Sequence, residues 1–588
     1  MEDNVDIVNF ISSALDSENY KEALSALNDE KRKERFSDYC WEVTAMVIGK
    51  IQDNTIIIKP SLYGVCEQII SFVLGKCSPE DALLEFIERL ELAKNDAQFG
   101  IILPVIQQLL NKLTINKKRS LEWCFYAISN YIEKIKITEI QLEGDERKLI
   151  DNDPNVRRVT KVYTMVVSFY QPFLEEILAA RFSCNVQTKP IVSDFLIGLL
   201  GKPMIFIDID PNANAKSEAR HSCEIIIQDI CKLEKNVLKF LSHLENKEKH
   251  RLRYTDSKEE QSPFETTERM NMGTYAGFFY VAYSGHFEIP NSAIPQVYSN
   301  EYIIHTLMLA VNHLLKFTEY SAITKALALY QALNNRLGEN TSHELLSSSI
   351  HYDFCKRLVH VTIYCSYQTL RVTALNSLKA HIEKFNYRGR CALIKYLIEA
   401  SNHSGMIGYA ITLYKTALLK AFEEPVLNEC FTGIRLGDMI KKICHLPHGA
   451  ESDLAELADQ IITALNFLRF LVLKDKANLT GIKDMIPTIE KEYLDVLVTA
   501  LKMSKAHYEL KLKDVTEGQN QPGVTLSVGE TVLDSIPAER KKEIIESALN
   551  AFHLMEGLVA RISLFIFTPL RKIDDKNAKT LFNFVNST

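Results

Sequence analysis

Between Glu451 and Glu509 apolar residues recur every three or four positions, and that spacing leaves little choice of fold. Leu454, Leu457, Ile461, Leu465, Leu468 and Val472 fall on one side of a helix, and Asp453 with Glu456 forms an Asp-x-x-Glu box that caps its start. Lys474 and Lys476 sit at the other end, where the helix dipole favours positive charge. Asn478 to Lys483, containing Gly481, reads as a turn. A second helix is predicted from about Thr488 to Lys513, with Ile489, Tyr493, Val496, Ala500, Met503 and His507 along its stripe. Two such helices cannot keep both stripes dry alone, so they need neighbours of the same kind.

Those neighbours follow one another along the chain. Helical stripes are predicted at Asn19 to Leu27, Trp41 to Ile51, Ser61 to Leu74, Pro79 to Leu92, Gln98 to Leu113, Leu121 to Ile137, Val159 to Arg181 and Ile191 to Leu200. Ser78 is placed as the N-cap of Pro79 to Leu92, with Pro79 at the first helical position. After Gly273 the pattern resumes, and the last long helix opens at Ser535-Ile536-Pro537 with Ile544, Leu549, Phe552, Met555, Leu558, Val559 and Ile562 on a wide stripe. Only Val524 to Val532 alternates as a strand would, and it is predicted as a small arm. The fold class is therefore all-α: a HEAT-like α-solenoid of helix pairs in two halves. The charged, Pro263-broken segment 245–272 is predicted to link an N-terminal helical region, 1–244, to a C-terminal one, 273–588.

Composition narrows the function classes. A net charge of −7 over 588 residues offers no basic field for nucleic acid or an anionic membrane. The first residues, Met1-Glu2-Asp3-Asn4-Val5-Asp6, are acidic where a leader would be basic. The longest uncharged run, Met270 to Phe287, is broken by Asn271, Gly273, Gly277, Ser284, Gly285 and His286, too short an apolar length for a membrane span. Twelve cysteines lie singly, without a Cys-x-x-Cys pair, as reduced thiols of a cytoplasmic protein do.

Catalytic and metal-binding patterns fail on inspection. Gly198-Leu-Leu-Gly201-Lys202-Pro203 lacks the four residues between glycines, and the Ser or Thr after lysine, that a phosphate loop needs. Asp208-Ile-Asp210-Pro-Asn212-Ala-Asn214 has oxygens at alternate positions, yet Ala213 stands where a calcium loop needs glycine and Ala219 where it needs glutamate. A solvated inter-helix loop is expected there. His343-Glu344 has no second histidine for zinc. Lys31-Arg32-Lys33-Glu34-Arg35 and Lys117-Lys118-Arg119 read as solvated helix ends. The chain is expected not to be an enzyme and to carry no cofactor or metal.

One resemblance adds a function. Ala400-Ser401-Asn402-His403-Ser404-Gly405, Phe431-Thr432-Gly433, Leu446-Pro447-His448-Gly449-Ala450-Glu451-Ser452-Asp453-Leu454, the run from Leu465 to Asp475, and Met503-Ser504-Lys505-Ala506-His507-Tyr508-Glu509 stand in a characteristic order. Thr525-Leu526-Ser527-Val528-Gly529-Glu530, Ser547-Ala548-Leu549 and Val559-Ala560-Arg561 complete it. In these segments the chain resembles the glomulin family, inhibitors of cullin-RING ubiquitin ligases. The likeness is densest from Ala400 to Arg561 and looser before about residue 370. It implies a HEAT-like protein whose C-terminal region holds the RING subunit of a cullin ligase, with its cullin, and blocks the ubiquitin-conjugating enzyme. It also implies an immunophilin contact through the N-terminal half. Within the resembling segments His403, Arg469, Lys505, His507, Tyr508 and Arg561 are the candidate partner-binding residues, because they supply donors and a flat ring among otherwise apolar positions. Packing competes for each of them. The other functional reading is a general α-solenoid scaffold or cargo adaptor.

Overall fold

The computed structural model describes residues 2–28, 39–113, 117–137, 142–179, 188–210, 217–256, 271–517, 527–528, 531–532 and 538–567. The described chain is all-α apart from Ser527–Val528 paired antiparallel with Thr531–Val532, at the predicted arm. Contacts gather it into two compact units, one of Met1–Arg336 with Cys365–Thr373 and one of Leu337–Tyr364 with Ala374–Thr588. The break therefore falls elsewhere than at 245–272. Leu241–Asp256 packs on Asn300–Leu314, and Met272–Tyr283 packs on Asn300–Leu314 and Tyr320–Asn334, so the helices flanking the charged segment belong to one unit. Charge in a sequence marks hydration, and it does not say where contacts stop.

Local signals set the helix ends in the first unit. Ser78 caps Pro79–Glu91 by accepting from the Asp81 N–H at 3.2 Å, and Asn95 caps Asp96–Lys112 by accepting from the Gln98 N–H at 2.9 Å. The helices then come in pairs: Pro79–Glu91 packs on Asp96–Lys112 and Lys189–Leu199 on Glu218–Leu233, and between them Lys117–Glu133 and Pro154–Ala179 meet through side chains, Phe125 edge-on to Phe169 at 6.3 Å and Lys117 ion-paired with Glu176 at 2.6 Å. First helices of successive pairs touch one another, and so do second helices, which is the packing rule of an α-solenoid. Aromatic pairs fill these seams: Phe99 stacks on Tyr131 at 4.1 Å and Phe125 on Phe195 at 3.9 Å. Buried Asp96 ties two pairs together, accepting from Tyr131 Oη at 2.6 Å and Arg158 Nε at 2.8 Å.

Farther along the same unit, Met272–Tyr283 is buried on every side from Gly273 to Tyr283. Its backbone can pass the preceding turn because Gly277 has no Cβ, which would overlap the Leu200 carbonyl. The irregular segment 201–210 leaves carbonyls without helical partners, and Lys325 answers them. Its Nζ, fully inside, donates to the Ile205 carbonyl at 3.1 Å and to that of Ile207. Burial lowers its pKa to about 8, against the pull of Asp208, so it stays charged at neutral pH. Asp208 differs from the solvated loop expected of it: its nearly buried carboxylate accepts from Arg147 Nε and Nη2, both at 2.8 Å, and Arg147 lies 3.4 Å over the Tyr320 ring. Asn212 and Asn214 of that motif, and the Lys31–Arg35 cluster, lie outside the described residues.

The second unit repeats the grammar. Tyr387–Ala400 pairs with Ser404–Ala421, Gly433–Ile443 precedes Ala458–Lys474, and Asp495–Glu517 pairs with Ala538–Phe567. Second helices touch in series, Ser404–Ala421 on Ala458–Lys474 and that on Ala538–Phe567. Earlier in the unit His351 and His381 stack at 5.2 Å, with Phe354 and Phe385 edge-on to the His381 ring. Burial, then His351, holds His381 well below the ordinary imidazole pKa.

Two expected outcomes follow from these buried titratable groups. Lys325→Met strands at least two carbonyls and should cost about 2 to 4 kcal/mol in chemical denaturation. Because folding takes up neutral His381, its contribution is complete above the unfolded imidazole value of about 6.5 and is lost below it, at up to about 1.4 kcal/mol per pH unit. Thermal melts of His381→Phe should therefore decline less between pH 7 and pH 5 than those of the parent, and parallel declines would refute the assignment.

Candidate partner-binding surface

The resembling segments converge on three helices of the second unit, Ala458–Lys474, Asp495–Glu517 and Ala538–Phe567. The first begins later than its capping box suggests. Asp453 does accept from the Ala455 and Glu456 N–H groups, at 2.9 and 3.2 Å, but only a turn follows, and α-helix starts at Ala458. It ends at buried Asp475, which accepts from the Leu479 and Thr480 N–H groups, both at 2.8 Å. Gly481 supplies the left-handed step at φ +80° before the next helix.

That next helix departs from its predicted stripe. It begins early, at Ile482, and Glu490–Leu494 forms one π turn, whose extra residue rotates everything after it. Leu494, Leu497, Leu501 and Tyr508 are buried beside Tyr493 and Ala500, whereas Met503 is 53% exposed and His507 faces solvent. Met503, His507 and Leu510, the last 61% exposed, therefore line one outward stripe at i, i+4 and i+7. The last helix behaves similarly. Ile545, Phe552, Met555, Leu558, Val559 and Ile562 are buried, while Leu554 (51% exposed), Arg561 and Leu564 (62%) run along the outer side. Pro537, placed at its first turn, lies outside the described residues.

The six candidate residues divide accordingly. Tyr508 is 5% exposed, edge-on to Phe552 at 5.2 Å, and its hydroxyl pKa is pushed up to about 12 by burial and then by Asp453. Packing is its visible role. Lys505 Nζ reaches Glu556 at 3.2 Å and His553 Nδ1 at 3.4 Å, joining the last two helices. Exposed His507 has its pKa lowered by partial burial and by Lys511, with Asp453 opposing. His403 is exposed at the start of Ser404–Ala421, where its Nδ1 accepts from the Met406 N–H at 3.3 Å. Arg469 is half-buried, and its Nε lies out of water with no acceptor among the described residues. The structure thus brings Lys505, His507, Tyr508 and Arg561 onto two packed helices, with Arg469 on the helix that touches the second of them. Leu510, Leu554 and Leu564 were missed as surface residues. Their spacing opposite the buried stripe is the signal, and for Leu510 it is readable only once the π turn is known.

The described residues hold no group of three or more His, Cys, Asp or Glu side chains fit for a metal ion. No helix among them is long and apolar enough to cross a membrane. A cavity of about 330 Å³ in the first unit is lined by Lys136, Arg147, Lys202, Asp208 and Glu319, but its Arg147 and Asp208 are spent on each other.

Helix pairs stacked first on first and second on second, with an exposed mixed stripe on the last long helices, define an all-α helical-repeat protein of the solenoid type. A family model described as an uncharacterised protein family, YAP/Alf4/glomulin, matches residues 215–547, more than half of the chain. The chain belongs to that family. It is similar to glomulin of Mus musculus, 26% identical over 577 residues, and to glomulin of Homo sapiens, 24% identical over 571, each match covering 94% of this chain and 92% of the relative. The likeness thus extends through the N-terminal half.

Truncation should separate packing from surface. Tyr508→Ala is expected to lose about 3 to 5 kcal/mol in chemical denaturation, as a buried aromatic does. His507→Ala and Arg561→Ala should each stay within about 0.5 kcal/mol of the parent. Similar losses at all three would place His507 and Arg561 in the core.

Proposed function

We propose that this chain is a non-enzymatic, cytoplasmic inhibitor that binds the RING subunit of a cullin-RING ubiquitin ligase and shuts out the ubiquitin-conjugating enzyme. One observation carries the reading: a chain aligned with glomulin over 94% of its length presents, within the family-like segments, exposed apolar residues interleaved with His507 and Arg561 on its last two long helices. A RING domain docks its conjugating enzyme through one small surface, so occupation of that surface suffices and no bond need be made or broken. An ordinary interface of about 800 Å² per partner covers it. Met503, Leu510, Leu554 and Leu564 are the apolar anchors of the contact. Exposed Arg561 offers donors to partner carbonyls or carboxylates, and Arg469 stands on the neighbouring helix.

The test is competition. Added to a neddylated cullin-RING ligase, the full chain should slow ubiquitin-chain formation, and rising conjugating enzyme should restore it. Met503→Asp with Leu510→Asp should weaken RING binding by about tenfold or more, some 1.4 kcal/mol, without changing the melt. Undiminished ligase activity at saturating chain would eliminate the inhibitory reading. Capture of unrelated partners with no RING subunit would favour a scaffold instead.

A further inference from the structure

The cavity of about 330 Å³ in the first unit has the size of a small-molecule site. Four elements enclose it. The 3-10 helix Gly144–Asn152 and the start of Pro154–Ala179 supply Ile150 and Val156, the irregular 201–210 segment supplies Phe206, and the helix Tyr320–Asn334 lines it with its first two residues. Arg147 is a fixed part of the wall. Asp208 holds its Nε and Nη2, the Leu142 carbonyl accepts from its Nη1 at 2.9 Å, and the Tyr320 ring backs its guanidinium.

The polar groups that remain are mostly donors. Lys136 and Lys202 are exposed where they line the cavity, and neither has an ion pair among the described residues. Tyr320–Asn334 begins without a side-chain cap, and the first-turn N–H groups of Ser321 and Ala322 have no acceptor among the described residues. Ser321 lines the cavity at only 6% exposure, and its hydroxyl too makes no hydrogen bond among them. A hydroxyl so far out of water ordinarily has a partner, and this one borders empty space. The one acid not already neutralised is Glu319, whose carboxylate accepts from the Thr318 N–H at 3.0 Å.

We propose that this cavity binds a small organic phosphate monoester, with its phosphate held by Lys136, Lys202 and the hydroxyl and N–H of Ser321, and its carbon part against Ile150, Val156 and Phe206. A helix start favours negative charge, and the two ammonium groups add point charges to it. A phosphate offers three acceptor oxygens to these donors and a carboxylate only two, so the donor set matches the phosphate better. A cation would find Asp208 already committed to Arg147. Lys202, which ends a run too short for a phosphate loop, thus meets phosphate by another route, because the amide comes from a helix start far along the chain. The site lies in the first unit and uses none of the residues of the proposed RING contact.

Titration calorimetry on the full chain at pH 7 tests this with phenyl phosphate as the probe, beside inorganic phosphate and benzoate. Phenyl phosphate should bind saturably at one site, at least about tenfold more tightly than inorganic phosphate, which leaves the apolar walls uncovered, or than benzoate, which leaves donors unpaired. Lys136→Gln with Lys202→Gln should weaken it by about tenfold or more, and Ser321→Ala by several-fold. Glu319→Gln should tighten it, since an opposing charge is removed. Without ligand, Ser321→Ala should melt with the parent, because its hydroxyl holds nothing in place. No saturable binding of phenyl phosphate, equal or tighter binding of inorganic phosphate or benzoate, or unchanged affinity in the double lysine variant would each overturn the proposal.

Discussion

A helix with an apolar stripe is stable in water only when another surface keeps that stripe dry. Within each unit several of the described helices meet this need by touching the corresponding helix of the next pair, so burial passes from neighbour to neighbour there. Phe552 and Met555 show the consequence. They are fully buried because Ala538–Phe567 lies against both Asp495–Glu517 and Ala458–Lys474, and neither contact alone would cover a stripe that wide. Each pair's outer side is then left to solvent, where exposed apolar residues have no structural task.

Departures from regular helix occur where the stacking rule must bend. The irregular 201–210 segment is held by a buried lysine and an arginine–aspartate pair, a costly arrangement that works because every charge has a partner or a set of carbonyls. The π turn at Glu490–Leu494 is less costly but changes more. By turning the following helix about its axis it sends Tyr508 inward and Met503, His507 and Leu510 outward, and that helix's share of the candidate contact surface is a product of the rotation.

What the amino-acid sequence determined by itself is what neighbours along the chain can settle. Apolar spacing marked the helices, Ser78 with Pro79 marked a start that the hydrogen bonds reproduce, and the alternating run at Val524 to Val532 marked the two-residue strands. His507 and Arg561 were legible as polar residues in apolar surroundings, and both are exposed. Tertiary structure alone decided that Tyr508 is core, that Asp208 is ion-paired, and that the units divide near Leu337. Each of these turns on helical phase or on groups far apart in the chain. Periodicity assigns a residue to a helix, but one inserted residue shifts the face by about 100°, and no local pattern records which distant side chain will be waiting there.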